Sequence, residues 1–346
     1  MSAMLRVVES GIVPDRIIRA GIRGLCRQRL REEGRGSPED LLRRRQAFLE
    51  SLRRSPIAVE TRAANEQHYE VPPEFFLRVL GKRLKYSCCY YPEGNESLDR
   101  AEEIMLALTC ERARVQDGMS ILELGCGWGS LTLWMAERYP SARITAISNS
   151  RSQREFISER CRERGLKNVT IITADVNHFT TEQSFDRVLS IEMFEHIRNY
   201  EMLLGRIAGW MRPDARLFVH IFCHRGYAYA FETEGAGNWM GRMFFTGGVM
   251  PSYDLLLDFG NDVEIENRWR LNGKHYQKTA EHWLSNMDAR RGEILPVMAA
   301  AYGNMDAALW YRRWRIFFMA CAELWGFRDG EEWIVGHYRF RKKSAI

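Results

Sequence analysis

Residues 121–129 read Ile121-Leu122-Glu123-Leu124-Gly125-Cys126-Gly127-Trp128-Gly129, an apolar run that ends in an acid and passes into glycines at alternate positions. That spacing lets the backbone turn tightly and approach a ligand, because a side chain at Gly125, Gly127 or Gly129 would fill the ligand's space. It differs from the dinucleotide fingerprint, whose last glycine falls three residues after the second. A bare G-x-G-x-G also occurs in ordinary glycine-rich turns, so the flanks decide. The apolar strand before it and the amphipathic run Leu131, Leu133, Trp134, Ala136 after it supply a strand–loop–helix context.

Working outward, the pattern alternates from Leu98 onward. A helix over about 98–115 is followed by strand 120–124, helix 129–138, strand 143–147, helix 150–164, strands 169–173 and 185–190, a helix near 195–210 and strand 216–222. Strands alternating with helices of this length predict an α/β fold with a parallel sheet covered on both faces. Ligands in such sheets sit outside the carboxyl ends of the strands. Upstream, residues 14–31 place Ile18, Ile22, Leu25 and Cys26 on one helical face, and Ser37-Pro38-Glu39-Asp40 opens a second helix running to about Leu52. His68 to Pro73 interrupts, and helix resumes over Glu74 to Leu80. Seven of the ten tryptophans follow residue 238, and the chain closes on a strand-like stretch from Trp333 to Phe340. A stripe such as Trp310, Trp314 and Phe317 reads as core, although aromatic faces of this density also suit a lid over a bulky or cationic substrate. The expected organisation is a helical region over residues 1–97 that contributes to the site. A catalytic domain over 98–346 follows, with an aromatic-rich cap at about 224–330.

With 346 residues and 45% hydrophobic composition, the chain can bury one large core or two modest ones. Eight cysteines are scattered without a C-x-x-C pair, which fits a reduced, cytoplasmic setting and gives no metal-binding pattern. No apolar run approaches the ~20 residues needed to span a bilayer, and no signal peptide opens the chain. The formal charge of +5 is uneven: residues 1–62 hold fourteen arginines against eight acids. Because the acids are interleaved, this head is read as a solvated helical face; contact with anionic lipid is the other reading.

The most chemically loaded stretch follows the strand at 185–190: Ile191-Glu192-Met193-Phe194-Glu195-His196. At offsets of three and four, Glu192, Glu195 and His196 can share one helical face. Their negative charge would attract a cation, and the histidine could accept the proton that an ammonium must lose before its lone pair attacks. Acids gathered at a helix start for dipole reasons would explain one glutamate but not this set.

The glycine loop E-L-G-C-G-W-G resembles the first motif of class I S-adenosylmethionine (SAM) methyltransferases. Further stretches widen the likeness: Y-S-C at 86–88, S-N-S-R-S-Q at 148–153, S-I-E-M-F-E-H at 190–196, F-F-T-G-G-V-M-P-S at 244–252 and N-G-K-H-Y at 272–276. With the basic head and I-A-V-E-T at 57–61, they make the whole chain similar to the coclaurine N-methyltransferase family and its larger relatives, the cyclopropane-fatty-acid synthases. The resemblance implies a Rossmann-like, mostly parallel seven-stranded sheet with a helical N-terminal region and a helical aromatic-rich cap. It implies SAM binding by Tyr86, Ser87, Gly125, Gly127, Asn149, Gln153, Asp175, Val176 and Ile191, and catalysis by Glu192, Glu195 and His196. Class I enzymes often hold the ribose with an acid after the second strand. Here Ser148-Asn149-Ser150 stands there, so Asn149 and Gln153 are the candidates, while Ser148 and Ser150 can also cap the next helix. Asp175 is the candidate for the adenine amino group, a reading that its order and spacing after the third strand favour over that of a turn residue. Cys321, in Ala320-Cys321-Ala322, matches an active-site cysteine of the synthases, a buried apolar cysteine being the plainer reading. Tyr86 and His224 are further candidates for supporting roles. The function implied is N-methylation of a small aromatic-bearing amine, with no nucleic-acid partner and a homodimer as one assembly open to the chain. The alternative is methylation of unsaturated acyl chains of phospholipids.

Overall fold

The strand quoted first, β1 (Ser120–Leu124), is buried along its whole length, as a central strand covered on both faces must be. Four more strands run parallel in its sheet: β2 (Arg143–Ser148), β3 (Val169–Thr173), β4 (Phe185–Ile191) and β5 (Met211–His224). A short pair, β6 (Tyr229–Ala230) and β7 (Val249–Met250), lies apart from them. Two strands complete the main sheet: β8 (Val263–Leu271) runs antiparallel to β9 (Trp333–Lys342), and β9 antiparallel to β5. The order is β3-β2-β1-β4-β5-β9-β8. The strand order therefore reverses at β1, and the crevice at that point opens at the carboxyl ends of β1 and β4. This computed structural model describes residues 3–59, 71–235 and 237–343. His68 to Glu70 of the expected interruption, and Glu60-Thr61 of the 57–61 motif, lie outside them.

Helices α1 (Ala3–Glu9), α2 (Asp15–Glu33), α3 (Pro38–Arg54) and α4 (Pro73–Val79) precede α5 (Leu98–Ala113). The Ser37 start is a full capping box: Ser37 Oγ accepts from the Asp40 N–H and Asp40 accepts from the Ser37 N–H. The crossovers use α6 (Ser130–Arg138), α7 (Arg151–Glu163) and α8 (Tyr200–Trp210), and the C-terminal third adds α9 (Trp239–Met243), α10 (Lys274–Ala289), α11 (Arg291–Tyr302) and α12 (Ala307–Trp325). One boundary differs instructively from the pattern. The helix expected from about 195 starts at Tyr200, because Asn199 caps it through a 2.9 Å bond from the Met202 N–H, and residues 194–196 form a separate 3-10 turn. Strand β8 was not among the expected strands, although Val263, Ile265, Trp269 and Leu271 alternate with Glu264, Glu266, Arg268 and Arg270 as along a half-buried edge strand.

The late aromatics are mostly core. Trp283, Trp314 and Trp333 are fully buried, and Phe244 stacks on Phe317 with centroids 4.4 Å apart. The arginine-rich head is only partly a solvated face. Arg19 reaches Glu281 (2.6 Å) and Glu323 (3.0 Å), Arg23 also reaches Glu323, and Arg315 ties Asp15 to Asp288. Among the described residues no helix is long and apolar enough to cross a membrane.

The most deeply buried of these ties is that of Glu9, where α1 meets α9 and α12, which accepts from Arg313 Nε at 3.0 Å and from Trp239 Nε1 at 2.9 Å. Removing one partner of a buried pair leaves the other uncompensated. Glu9→Ala is therefore expected to lower unfolding stability by about 3 kcal/mol in urea titration, whereas Glu50→Ala, on the exposed face of α3, should change it by less than about 0.5 kcal/mol.

Candidate active site

Five of the strand ends and loops named in the sequence close around one cavity. Its wall includes Gly125, Gly127, Trp128, Asn149, Gln153, Asp175, Val176, Ile191, Glu192 and His196, together with Leu84, Lys85, Tyr86 and Ser87 from the segment before α5. Every residue expected to bind SAM is there. Two expected catalytic residues, Glu195 and Cys321, are not part of this wall.

The glycine loop works differently from the simple reading. Gly125, Gly127 and Gly129 all take positive φ, at 81°, 51° and 80°. A Cβ on Gly125 would meet Met193 at 2.9 Å, and one on Gly129 would meet Ile157 at 2.8 Å, so protein packing excludes side chains there. Only at Gly127 would a Cβ stand in open space along the cavity. The expectation that all three make room for ligand holds for that one position.

At the end of β2, both readings of the serines are realised. Ser150 Oγ accepts from the Gln153 N–H, capping α7, while Ser148 Oγ donates to Gln153 Oε1 at 2.6 Å. That second bond fixes the amide, whose Nε2 is buried with no partner among the described residues. A buried donor left without an acceptor is costly, and a ligand oxygen in the cavity would satisfy it. Asp175 shows the turn reading, with Oδ1 accepting from the Asn177 N–H at 2.8 Å, and also lines the cavity. Asn177 in turn clamps Ala58 by exchanging two 3.0 Å bonds with its backbone, which seats the N-terminal segment against the site.

Glu192, Glu195 and His196 do not share a helical face. Glu192 takes a left-handed φ of 46° at the end of β4, a conformation that is uncommon for a residue with a side chain. Its N–H donates to the His220 carbonyl, and its carboxylate is met by donors from three elements. The Cys88 N–H and His220 Nε2 reach Oε1 at 2.9 and 3.0 Å, and the Tyr276 hydroxyl reaches Oε2 at 2.6 Å. Burial raises the Glu192 pKa, and the nearby Lys85 cation, the Cys88 N–H and the Tyr276 hydroxyl offset only part of that rise. Glu195 is fully buried behind the turn, with Oε1 accepting from the Phe222 N–H at 2.7 Å and Oε2 without a partner among the described residues. Burial first, and then the charge of Glu192, push its pKa well above the usual carboxylate range. His196 lines the cavity and lies 4.6 Å, centroid to centroid, from the Phe245 ring. Burial lowers its pKa to about 4 against the pull of Glu192, leaving the imidazole neutral.

Cys321 sits half-buried among the aromatics of α12, and burial, then the charge of Glu192, raise its thiol far above neutrality. A thiol so placed is not a nucleophile at neutral pH. His224 stacks on Tyr227 and faces Glu332 at 3.3 Å, away from the cavity wall. Sequence reasoning passed over Lys85, His220 and Tyr276. Tyr276 lay inside a quoted motif without a role, and His220 was visible as one polar residue within the apolar run 217–223.

Comparison with known proteins yields three findings. The chain matches the mycolic acid cyclopropane synthetase family over residues 58–334. It is 40% identical to (S)-coclaurine N-methyltransferase of Thalictrum flavum subsp. glaucum over 98% of this chain and 95% of that one, and 36% identical to pavine N-methyltransferase of the same plant over 98% and 96%. A solved coclaurine N-methyltransferase bound to N-methylheliamine and S-adenosylhomocysteine superposes with a TM-score of 0.95 at 39% identity, over 99% of this chain and all of that one.

The acid of the opening motif has a measurable signature. Glu123 is fully buried, takes a bond from Thr132 Oγ1 at 2.6 Å, and burial raises its pKa to about 8. Its folded form is thus protonated where the unfolded chain is ionised. The stability it contributes is complete below the unfolded value of 4.5 and is lost as pH rises through about 8. Glu123→Gln keeps the shape without the titration. The expected outcome is a shallower fall in Tm between pH 6 and about 9 than in the unaltered protein, read by scanning calorimetry; parallel curves would refute the assignment.

Proposed function

The chain belongs to the mycolic acid cyclopropane synthetase family, and from that premise we propose that it methylates the nitrogen of a small, aromatic-bearing amine of the benzylisoquinoline class. It is a SAM-dependent methyltransferase. The observation that carries the amine reading is the extent of the likeness. Similarity to the N-methyltransferases spans 98% of the chain, and so takes in most of the first 57 residues, which the synthetase family match leaves out.

The cavity suits SAM through the open space at Gly127, the oriented Gln153 amide and the Asp175 carboxylate at the end of β3. In this reading Gly125, Gly127, Tyr86, Ser87, Asn149, Gln153, Asp175, Val176 and Ile191 hold it. When bound, SAM supplies a methyl group on a sulfonium, an electrophile that leaves behind a neutral thioether. The protein's own work is to bring a nitrogen lone pair to that methyl and to remove the proton that masks it.

Glu192 is the group for the first task. A carboxylate in an apolar, aromatic surrounding attracts an ammonium, and the contacts His196–Phe245, Phe222–Phe245, Phe222–Trp325 and Tyr276–Trp325 make up that surrounding behind the cavity wall. His196 is the group for the second. It is unprotonated at neutral pH, so its lone pair can take the ammonium proton, and the negative Glu192 offsets part of the cost of the imidazolium that forms. The N–C bond then forms as the C–S bond breaks, and the charge passes from sulfur to the methylated nitrogen. Glu195, buried behind the turn, supports the Phe222 backbone in this reading and need not meet the amine. The arginine head offers the acyl-chain alternative little, since Arg19, Arg23, Arg45 and Arg53 pair with acids of the same chain.

The test is turnover of tetrahydroisoquinoline-type amines by the purified protein with SAM. His196→Ala should lower kcat by about 10²- to 10³-fold with SAM affinity nearly unchanged, and Glu192→Gln should raise the amine KM as well as lower kcat. Cyclopropane or methyl-branched acyl chains in a host expressing the protein, without amine turnover, would overturn the proposal.

A further inference from the structure

A line of hydrogen bonds runs from the seat of Glu192 through two strands to a helix on the sheet's face. Arg112 Nη1 on α5 lies 2.7 Å from His337 Nδ1 on β9, His337 Nε2 lies 2.9 Å from His220 Nδ1 on β5, and His220 Nε2 lies 3.0 Å from Glu192 Oε1. The two histidines are register partners in the antiparallel β5–β9 pair, and both are fully buried. Arg112 is held over Trp269 at 4.9 Å.

The ends of this line allow one polarity. A guanidinium donates and never accepts, so His337 Nδ1 must be the acceptor. A neutral imidazole carries one N–H, so the proton of His337 sits on Nε2 and points at His220 Nδ1. By the same logic His220 carries its proton on Nε2, aimed at Glu192. Burial, assisted by the cations Lys85 and Arg112, holds both rings well below their ordinary pKa and therefore neutral. In the opposite tautomer His220 would present a lone pair to a carboxylate oxygen, a repulsive contact in an interior of low dielectric.

We propose that Arg112 and His337 are positioning residues, which fix the tautomer of His220 so that it donates to Glu192. The assignment rests on Glu192 having the role proposed above. Arg112 acts four groups away from the amine and touches none of the reacting atoms. Because Arg112 cannot accept a proton, the line cannot carry one outward; it orients and does not conduct.

Other groups that bear on Glu192 set the background of any titration. They are Lys85 and Cys88 from the segment before α5, Glu195 and His196 from the turn after β4, Tyr276 from α10 and Cys321 from α12. Arg112→Met leaves all of these in place and keeps an unbranched chain against Trp269. Losing the donor that fixes the tautomer weakens the hold on ionised Glu192, so the acid limb of kcat/KM moves to higher pH.

The direct experiment is long-range ¹H–¹⁵N correlation on the histidine-labelled full chain. Nε2–H tautomers are expected for both His220 and His337 in the unaltered protein, with a shift towards mixed tautomers in Arg112→Met. An Nδ1–H tautomer at either ring of the unaltered protein would overturn the proposal, and that reading needs no substrate. In turnover, Arg112→Met should lose about tenfold in kcat with the KM for SAM unchanged, its acid limb displaced upward, and Arg112→Lys should recover most of both. A folded Arg112→Met protein with unaltered kcat and pH profile would also overturn it. Failure of the role proposed for Glu192 would show instead as unchanged amine turnover in Glu192→Gln, and failure of the amine reading as no amine turnover at all, in both cases with the histidine tautomers as described.

Discussion

A carboxylate is carried into an apolar interior only where donors meet it, and the site is arranged around that demand at Glu192. Its three donors come from the segment after α4, from β5 and from α10. Satisfying one side chain therefore ties the N-terminal region, the parallel sheet and the cap together at the point where β4 ends. The left-handed backbone at Glu192 belongs to the same arrangement: it is an uncommon conformation for a glutamate, and the surrounding bonds hold it there. The cavity has its particular walls because these three parts of the chain converge there.

The cofactor side of the site was readable from the sequence because its parts are local. A five-residue apolar strand, a glycine turn and a helix start lie within twenty residues or so of each other, and β1 and β3 coincide with their expected spans, 120–124 and 169–173. Continuous apolar runs bounded by turn residues mark buried parallel strands well. Edge strand β8 has no continuous apolar run; it alternates apolar and charged residues, and its two acids pair with Arg216, Arg339 and Arg341. The glycines were half legible: spacing shows that a tight turn is needed, but not that Met193 and Ile157 are what two of them avoid.

The catalytic side was legible only as residue types. Glu192, Glu195 and His196 stand out by composition, yet their shared helical face dissolves because Glu192 directly follows a strand and the other two sit in a 3-10 turn. The partners that give Glu192 its character lie 104, 28 and 84 residues away in sequence, and no local periodicity points to them. A histidine inside an apolar strand is a weak signal by itself, and it gains meaning only from what faces it across the sheet.

The two glutamates carry this argument furthest. They are the same residue type, three positions apart, both removed from water, and burial raises both, but Glu195 much further than Glu192. Glu192 receives three donors and a neighbouring cation, which favour the ion; Glu195 receives one backbone N–H and the repulsion of Glu192, which favour the acid. Two like charges so close would not both persist in a medium of low dielectric, so ionising one helps to keep the proton on the other. The two acids of the motif are therefore not equivalent: donors and a cation gather at Glu192, which faces the cavity with His196, while Glu195 holds one backbone N–H behind the turn.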